Sequence, residues 1–186
     1  MSATPLTDIS ILRQRARQHL ESGAITEGYT ADRETVLRLL NESLATELVC
    51  YLRYKRHYHM ASGLKASVAA AEFLEHAQQE LEHSDRLAER ITQLGGEPDF
   101  NPATLTARSH AEYVAGSSLK EMVTENLVAE RIAIDSYREI IAYLGNDDPT
   151  TRRIFEDILA QEEEHADDMS DICLLYTSPS PRDRQK

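Results

Sequence analysis

Tryptophan is absent from the 186-residue chain, and glycine and proline are scarce, with seven and six residues. Alanine, leucine, glutamate and arginine are abundant instead. Because this composition favours helices over sheets, the sequence predicts an all-α protein. The length suits one ordinary domain with a hydrophobic core.

Long apolar runs are also missing, since no stretch approaches the roughly 20 residues needed to cross a bilayer. The N-terminus has no basic region followed by an apolar segment, so it does not resemble a secretory signal. Only two cysteines occur. Cys50 is the only one outside an unusual C-terminal tail, which fits a reducing compartment. A soluble cytoplasmic protein without a membrane partner is expected.

Basic residues are fewer than acidic ones. The chain has 20 Lys and Arg and 32 Asp and Glu, which gives a formal net charge of −12. Binding to a nucleic-acid backbone requires a basic face. The one basic cluster, residues 13–19, is interpreted as the solvated side of a short helix. Nucleic acid is therefore not an expected partner.

The last fourteen residues, CLLYTSPSPRDRQK, differ from the rest of the chain. They lack helical periodicity and resemble the translation of a sequencing adapter, which indicates a non-native segment. The sequence thus predicts three regions. They are an N-terminal extension with a short helix (1–31), a helical domain (32–172) and a non-native tail (173–186).

Four long helices are predicted in the domain from apolar positions spaced three or four residues apart. They span about 32–61, 66–94, 117–144 and 149–172, and a shorter helix covers 7–22. Gly95 and Gly96 are expected to end the second helix, and Asp148 to cap the fourth. The short loops and the long middle connection predict a four-helix bundle with one crossover.

Each apolar stripe of these helices carries a carboxylate near its middle: Glu47, Glu80, Glu130 and Glu162. The second and fourth stripes add a histidine three residues later, His83 and His165. Buried carboxylates without partners are costly, and two divalent cations would neutralise four of them. Residues i and i+3 share a helix face, so each Glu-x-x-His pair can reach one metal. A single such pair is usually solvated surface, but two on apolar stripes favour a two-metal site.

The register of the hairpins supports the same site. Glu47 and Glu80 are centred between residues 63 and 64, and Glu130 and Glu162 are centred on Asn146. Both centres fall inside predicted loops, so each pair is expected at equal height in an antiparallel hairpin.

Carboxylate and imidazole ligands suit iron or manganese, and the residues leave that choice open. Gln79 and Gln161 each stand four residues before a histidine. They are candidates to bond the second imidazole nitrogen of a ligand, although an exposed role fits the sequence equally well.

The motifs NESLATELVCYLRY, QELEHSDR, ENLVAERIAIDSYREI and AQEEEHADD together resemble the ferritin-like superfamily of di-iron carboxylate proteins. The similarity covers about residues 32–172 and is greatest to bacterioferritin and to Dps-like proteins with a bacterioferritin-type site. It implies two iron ions, with Glu47 and Glu130 as terminal ligands and Glu80 and Glu162 as bridges. His83 and His165 would bind one iron each, and Tyr54 matches a tyrosine beside the site, where it could equally be a core aromatic.

The resemblance implies a ferroxidase that oxidises Fe(II) with O2 or H2O2 and stores the ferric mineral in a homo-oligomeric shell of 12 or 24 subunits. Leu81 stands where bacterioferritins have a haem-binding methionine, so no haem is expected by that route. Three alternatives remain. They are another di-iron enzyme (a rubrerythrin-like peroxidase or an oxygenase), a Dps-type DNA-protection protein, and a metal-free bundle.

Overall fold

Six α-helices and one 3-10 helix make up the regular structure of residues 6–63 and 66–177, which the computed structural model describes. The α-helices are α1 (Ile9–Arg15), α2 (Arg33–Met60), α3 (Ser67–Gln93), α4 (Leu105–Arg108), α5 (Leu119–Leu144) and α6 (Pro149–Thr177). The 3-10 helix is Leu20–Ser22, and no strand occurs in the described ranges. The all-α prediction is confirmed.

The four long helices form a bundle in which α2 packs along α3 and α5 packs along α6. Leu40 near the start of α2 shares a core cluster with Ile91 near the end of α3, so these two helices are antiparallel. Leu144 at the end of α5 likewise meets Phe155 near the start of α6. Further contacts of α2 with α5 and of α3 with α6 close the predicted four-helix bundle.

Two of the predicted helix ends are confirmed by their hydrogen bonds. Asp148 Oδ1 accepts a bond of 2.9 Å from the Thr151 N–H, as an N-cap of α6 does. Gly95 has φ +67° after α3, and the Gly96 N–H bonds the Ile91 carbonyl at 2.9 Å. A glycine in this left-handed conformation ends many helices because it has no Cβ to clash.

The connection between α3 and α5 runs along α2 from one end of the bundle toward the other. The Asp99 N–H bonds Asn41 Oδ1 at 2.8 Å, and the His110 N–H bonds Thr46 Oγ1 at 2.9 Å. Further along α2, the buried Arg53 donates from Nη1 to the Glu112 carbonyl at 2.9 Å. The predicted crossover is therefore confirmed, and hydrogen bonds tie it to α2.

Two predicted helix extents were wrong. The helix expected over 7–22 is shorter, because α1 ends at Arg15 and His19 takes φ +52°. Its Ile11 and Leu12 are 43% and 44% exposed, since no described element covers them. The last helix passes the expected end at residue 172 and reaches Thr177, with Cys173 packed against an apolar cluster.

The origin of the tail stays a prediction, because helix length does not test it. Residues 178–186 lie outside the described residues, and so do 64 and 65 at the predicted centre of the first loop.

A polar band lies between the two largest of the four apolar clusters found among the described residues. One cluster contains Leu40, Leu44, Leu87, Ile91, Tyr137, Leu144, Phe155 and Ile158, and residues Ile25 and Tyr29 of the N-terminal extension pack against it. The other contains Tyr54, Phe73, Ala77, Met122, Val123, Met169 and Ile172. Each large apolar side chain buried in this way contributes about 1.5–3 kcal/mol. The two clusters therefore hold the middle of the four helices, and the residues that lie there, in place.

Candidate metal centre

The six predicted ligand residues meet in the polar band between the two core clusters. Glu47 lies on α2, Glu80 and His83 on α3, Glu130 on α5, and Glu162 and His165 on α6. None of the six is more than 2% exposed. The structure places these residues at the height along the helices that the hairpin register predicted. Their role as ligands stays a prediction.

These six side chains form two overlapping groups. The first group is Glu47, Glu80, His83 and Glu162, and the second is Glu80, Glu130, Glu162 and His165. Within each group the potential ligand atoms lie within 4.8 Å of one another. Glu80 and Glu162 belong to both groups, whereas each of the other four side chains belongs to one. The arrangement offers two cation positions with two shared carboxylates.

Each histidine directs its Nδ1 atom at the carboxylates. His83 Nδ1 lies 3.0 Å from Glu162 Oε1 and 3.2 Å from Glu47 Oε2. His165 Nδ1 lies 3.5 Å from Glu162 Oε2 and 3.6 Å from Glu80 Oε1. The Nδ1 atoms are therefore the ligand atoms available to a cation.

The two predicted glutamine partners bond the imidazoles crosswise. Gln161 Oε1 accepts from His83 Nε2 at 2.8 Å, and Gln79 Oε1 accepts from His165 Nε2 at 2.6 Å. Each glutamine thus serves the histidine of the other hairpin, not the one four residues later in its own helix. A hydrogen on Nε2 leaves the Nδ1 lone pair free for a metal, which is the usual way such partners fix a tautomer.

Two tyrosines bond the unshared glutamates in the same crosswise pattern. Tyr54 on α2 donates its hydroxyl hydrogen to Glu130 Oε1 on α5. Tyr137 on α5 donates its hydroxyl hydrogen to Glu47 Oε1 on α2. Burial raises the pKa of both phenols well above their ordinary value, so both stay hydrogen donors. The predicted position of Tyr54 beside the site agrees with the structure.

Protons occupy this cluster in the absence of cations. Burial, together with the charge of Glu80, raises the pKa of Glu47 to about 8, and burial with the charges of Glu47 and Glu130 raises that of Glu162 to about 7. Burial would lower the pKa of His83 and His165, but the carboxylates close to them raise it. Burial also opposes ionisation of Glu130, yet the nearby His165 lowers the pKa of Glu130 to about 2.

Several buried polar atoms of the cluster have no hydrogen-bond partner. Glu80 Oε1, Glu130 Oε2 and His165 Nδ1 are the clearest examples. Leaving such a group unsatisfied costs about 1–3 kcal/mol, and more if it is charged. A divalent cation between these atoms would satisfy all three, and carboxylate oxygens with imidazole nitrogens suit iron, manganese or zinc. The residues therefore fit two divalent metal ions.

Two residues without a role in the sequence-based prediction lie beside the cluster. Tyr137 stands seven residues after Glu130, as Tyr54 stands seven after Glu47, and that repeat is the signal that could have identified it. His76, four residues before Glu80 on the apolar stripe, is 2% exposed and stacks on His165 with ring centroids 4.0 Å apart. Burial and the charge of His165 lower the pKa of His76 to about 4.

Leu81 follows Glu80 directly but points away from the cluster and is 40% exposed. The absence of haem by that route stays a prediction. Across the residues that the structure describes, every helix is too short or too polar to cross a membrane.

A sequence profile of the ferritin-like domain matches residues 37–175. Bacterioferritin of Mycobacterium avium is 31% identical over 133 residues, which cover 71% of this chain and 79% of the relative. Bacterioferritin of Desulfovibrio desulfuricans is 27% identical over 140 residues, which cover 74% of each chain.

Solved structures agree with these sequence matches. A dodecameric thioferritin, the bacterioferritin-related protein of Bacteroides fragilis, superposes with a TM-score of 0.73 at 31% identity and covers 76% of this chain and 85% of its own. Dps of Thermosynechococcus elongatus gives a TM-score of 0.73 at 21% identity over 79% and 93% of the two chains, which shows the same fold. The chain therefore belongs to the ferritin-like family.

Proposed function

We propose that this protein is a ferroxidase that binds two Fe(II) ions per chain, oxidises them to Fe(III) with O2 or H2O2, and stores the ferric product in a homo-oligomeric shell. One observation carries the proposal. The two buried groups of ligand atoms overlap through Glu80 and Glu162, so two cations would share two carboxylates. In this proposal Glu47 and Glu130 each serve one ion, as do His83 and His165.

The chain's own residues prepare the site for its substrate. Gln161 and Gln79 hold the imidazoles with Nδ1 toward the carboxylates. Tyr54 and Tyr137 hold Glu130 and Glu47 by hydrogen bonds that compensate part of their negative charge. The site is thereby oriented before an ion arrives, and entering Fe(II) displaces protons from the carboxyl and imidazole groups.

The electrons and protons of the reaction balance. Two Fe(II) ions give up one electron each, and one H2O2 takes both electrons with two protons to form two water molecules. With O2 as the oxidant, the same two electrons and two protons form one H2O2. The protons that the ligands release when Fe(II) binds can supply the protons that reduction of the oxidant consumes.

A shell of 12 or 24 copies is the second part of the proposal. The thioferritin that shares 31% identity with this chain is described as dodecameric, which supports the smaller assembly. The formal net charge of −12 would attract Fe(II) to such a shell and would oppose binding to DNA. Native mass spectrometry of the full chain, before and after iron loading, tests the number of copies and the stored iron.

An anaerobic titration with Fe(II), followed by addition of O2 or H2O2, tests the ferroxidase reaction. We expect a fast rise in absorbance when the preferred oxidant is added, and its amplitude should reach a maximum when two Fe(II) per chain occupy the two buried groups. Glu80→Gln should abolish the fast phase, whereas Glu82→Gln, which removes an exposed charge two residues away, should not.

Three outcomes of that titration would contradict the proposal. Binding of two ions without rapid turnover would favour another di-iron enzyme, such as a rubrerythrin-like peroxidase or an oxygenase. Absence of Fe(II) binding would indicate a metal-free bundle. Equal kinetics in Glu80→Gln and Glu82→Gln would exclude the buried cluster as the site of oxidation.

A further inference from the structure

A third group of potential ligands lies beside the paired clusters. Glu72 and His76 come from α3, and Asp168 comes from α6. His76 Nε2 lies 3.4 Å from Asp168 Oδ2 and 3.7 Å from Glu72 Oε2. None of these three residues belongs to the six proposed ligands of the paired centre. We call this group the α3–α6 triad.

The hydrogen bonds of His76 determine which way its lone pair points. Tyr54 has a single hydroxyl hydrogen, and it is donated to Glu130. The contact of 3.2 Å between His76 Nδ1 and the Tyr54 oxygen therefore requires the hydrogen to lie on Nδ1. In a neutral imidazole the Nε2 lone pair then faces two carboxylates, and a cation between the three atoms would turn this repulsion into attraction.

The α3–α6 triad is fixed on its inner side and open on its outer side. The His76 side chain is 2% exposed, whereas those of Glu72 and Asp168 are 32% and 54% exposed. An ion can therefore arrive from solvent and meet a rigid nitrogen ligand. The His76 ring stacks on His165 at 4.0 Å, so this ion would lie one imidazole away from the paired centre.

The α3–α6 triad has no counterpart in the other half of the bundle. The positions that correspond to Glu72 and His76 in α6, eight and four residues before the Glu-x-x-His motif, are Ile154 and Ile158. The triad is therefore not a by-product of the repeated motif. The second hairpin shows that an apolar side chain fits at the position of the buried His76.

We propose that Glu72, His76 and Asp168 form a third, solvent-accessible site for a divalent cation such as Fe(II), Mn(II) or Zn(II). One imidazole nitrogen and two carboxylate oxygens would bind the ion, and water from the open side would complete its coordination. This donor set is of the kind that suits these metals. The site adds a mononuclear position to the two cations of the proposed function, and it does not depend on that function.

Zinc binding to the full chain tests the proposal, because Zn(II) is inert to O2 and its stoichiometry can be measured by dialysis and metal analysis. We expect three Zn(II) per chain, and two after His76→Ile, which installs the residue found at position 158. Asp168→Asn should also bind two Zn(II). Because Asp168 is exposed, this change should leave the fold intact, so misfolding would not explain the lost ion. Glu75→Gln, an equal charge change at an exposed position of α3, should still bind three.

Anomalous scattering from a zinc-loaded crystal provides a direct readout. We expect a peak between His76 Nε2, Asp168 and Glu72 that is missing in Asp168→Asn. Two Zn(II) per chain in all four proteins, with no peak at the α3–α6 triad, would overturn the third site and leave the paired centre intact. A single Zn(II) that His76→Ile removes would support the third site and overturn the paired centre instead.

Discussion

The α2–α3 hairpin and the α5–α6 hairpin carry the same set of polar residues at the same spacings. In each hairpin a glutamate is followed seven residues later by a tyrosine. A Gln-Glu pair on the other helix is followed by a histidine three residues after its glutamate. The bonds from these glutamines and tyrosines cross from one hairpin to the other. The halves differ at His76 and Glu72, which have Ile158 and Ile154 as counterparts. The shared residues surround the paired centre, and His76 and Glu72 form part of the α3–α6 triad beside it.

Loss of a shared ligand and loss of an unshared ligand should have different consequences. Glu162→Gln removes a carboxylate that both groups share, so we expect neither position to bind normally and Fe(II) oxidation to fall by more than roughly 100-fold. Glu47→Gln leaves all four residues of the second group in place and should retain one tightly bound Zn(II) at the paired centre. Zinc analysis and stopped-flow absorbance distinguish the two, with exposed Glu164→Gln as the control.

If both variants retained the same number of Zn(II), the assignment of Glu162 to both positions and of Glu47 to one would be wrong.

The glutamines allow the crosswise pattern to be tested one position at a time. Gln79→Ala should weaken the ion bound by His165, and Gln161→Ala the ion bound by His83, each by about 10–100-fold. Stepwise Zn(II) titrations measure the affinities, and histidine NMR signals identify which position is affected. Weakening at the histidine of the same helix would contradict the crosswise bonds.

Both tyrosines should stabilise the fold, but only Tyr54 should affect the third cation. Tyr54→Phe and Tyr137→Phe each leave a buried carboxyl without its donor, which costs about 1–3 kcal/mol of unfolding free energy in the metal-free protein. Urea denaturation should show a loss for both, and a larger one for Tyr54→Phe, which also leaves the buried His76 Nδ1 hydrogen without its acceptor. Tyr54→Phe should in addition reduce Zn(II) binding at the α3–α6 triad, because Tyr54 accepts the bond that orients His76. Equal zinc binding by the two variants would contradict this orienting role.

Acid should weaken binding at the paired centre. With the pKa of Glu47 raised to about 8 and that of Glu162 to about 7, these groups hold protons near neutral pH that a cation must displace. Apparent Zn(II) affinity should therefore fall as the pH drops from 8 to 6, by about tenfold per pH unit for each proton released. Calorimetry in two buffers of different ionisation enthalpy counts the protons, and a pH-independent affinity would show that none is displaced.

The sequence predicted the four long helices and the meeting of six polar residues because both depend on local periodicity. Steps of three and four fixed one face of each helix, and loop positions fixed the relative height of Glu47 with Glu80 and of Glu130 with Glu162. The helix ends were less certain, as the short α1 and the longer α6 show. A helix end depends on what covers its last turns, which the pattern within the helix does not contain.

Bonds between hairpins were beyond the reach of the sequence. Gln79 and Gln161 were recognised as possible partners of a histidine, but the choice between the nearer and the farther histidine depends on how the hairpins are rotated against each other. The α3–α6 triad was missed for the same reason, because Asp168 approaches His76 only after α3 and α6 are packed. Single-helix patterns therefore identify the candidate ligands of the paired centre more readily than the residues that orient them.

The crosswise hydrogen bonds make the two hairpins depend on each other. Neither hairpin contains both a candidate histidine ligand and the glutamine that orients it, so a separated α2–α3 unit would present His83 without Gln161. A protein made of one such hairpin could build this arrangement only as a symmetric dimer. Two fused hairpins, unlike two identical ones, can differ outside the shared set, as this chain does with His76 in one half and Ile158 in the other.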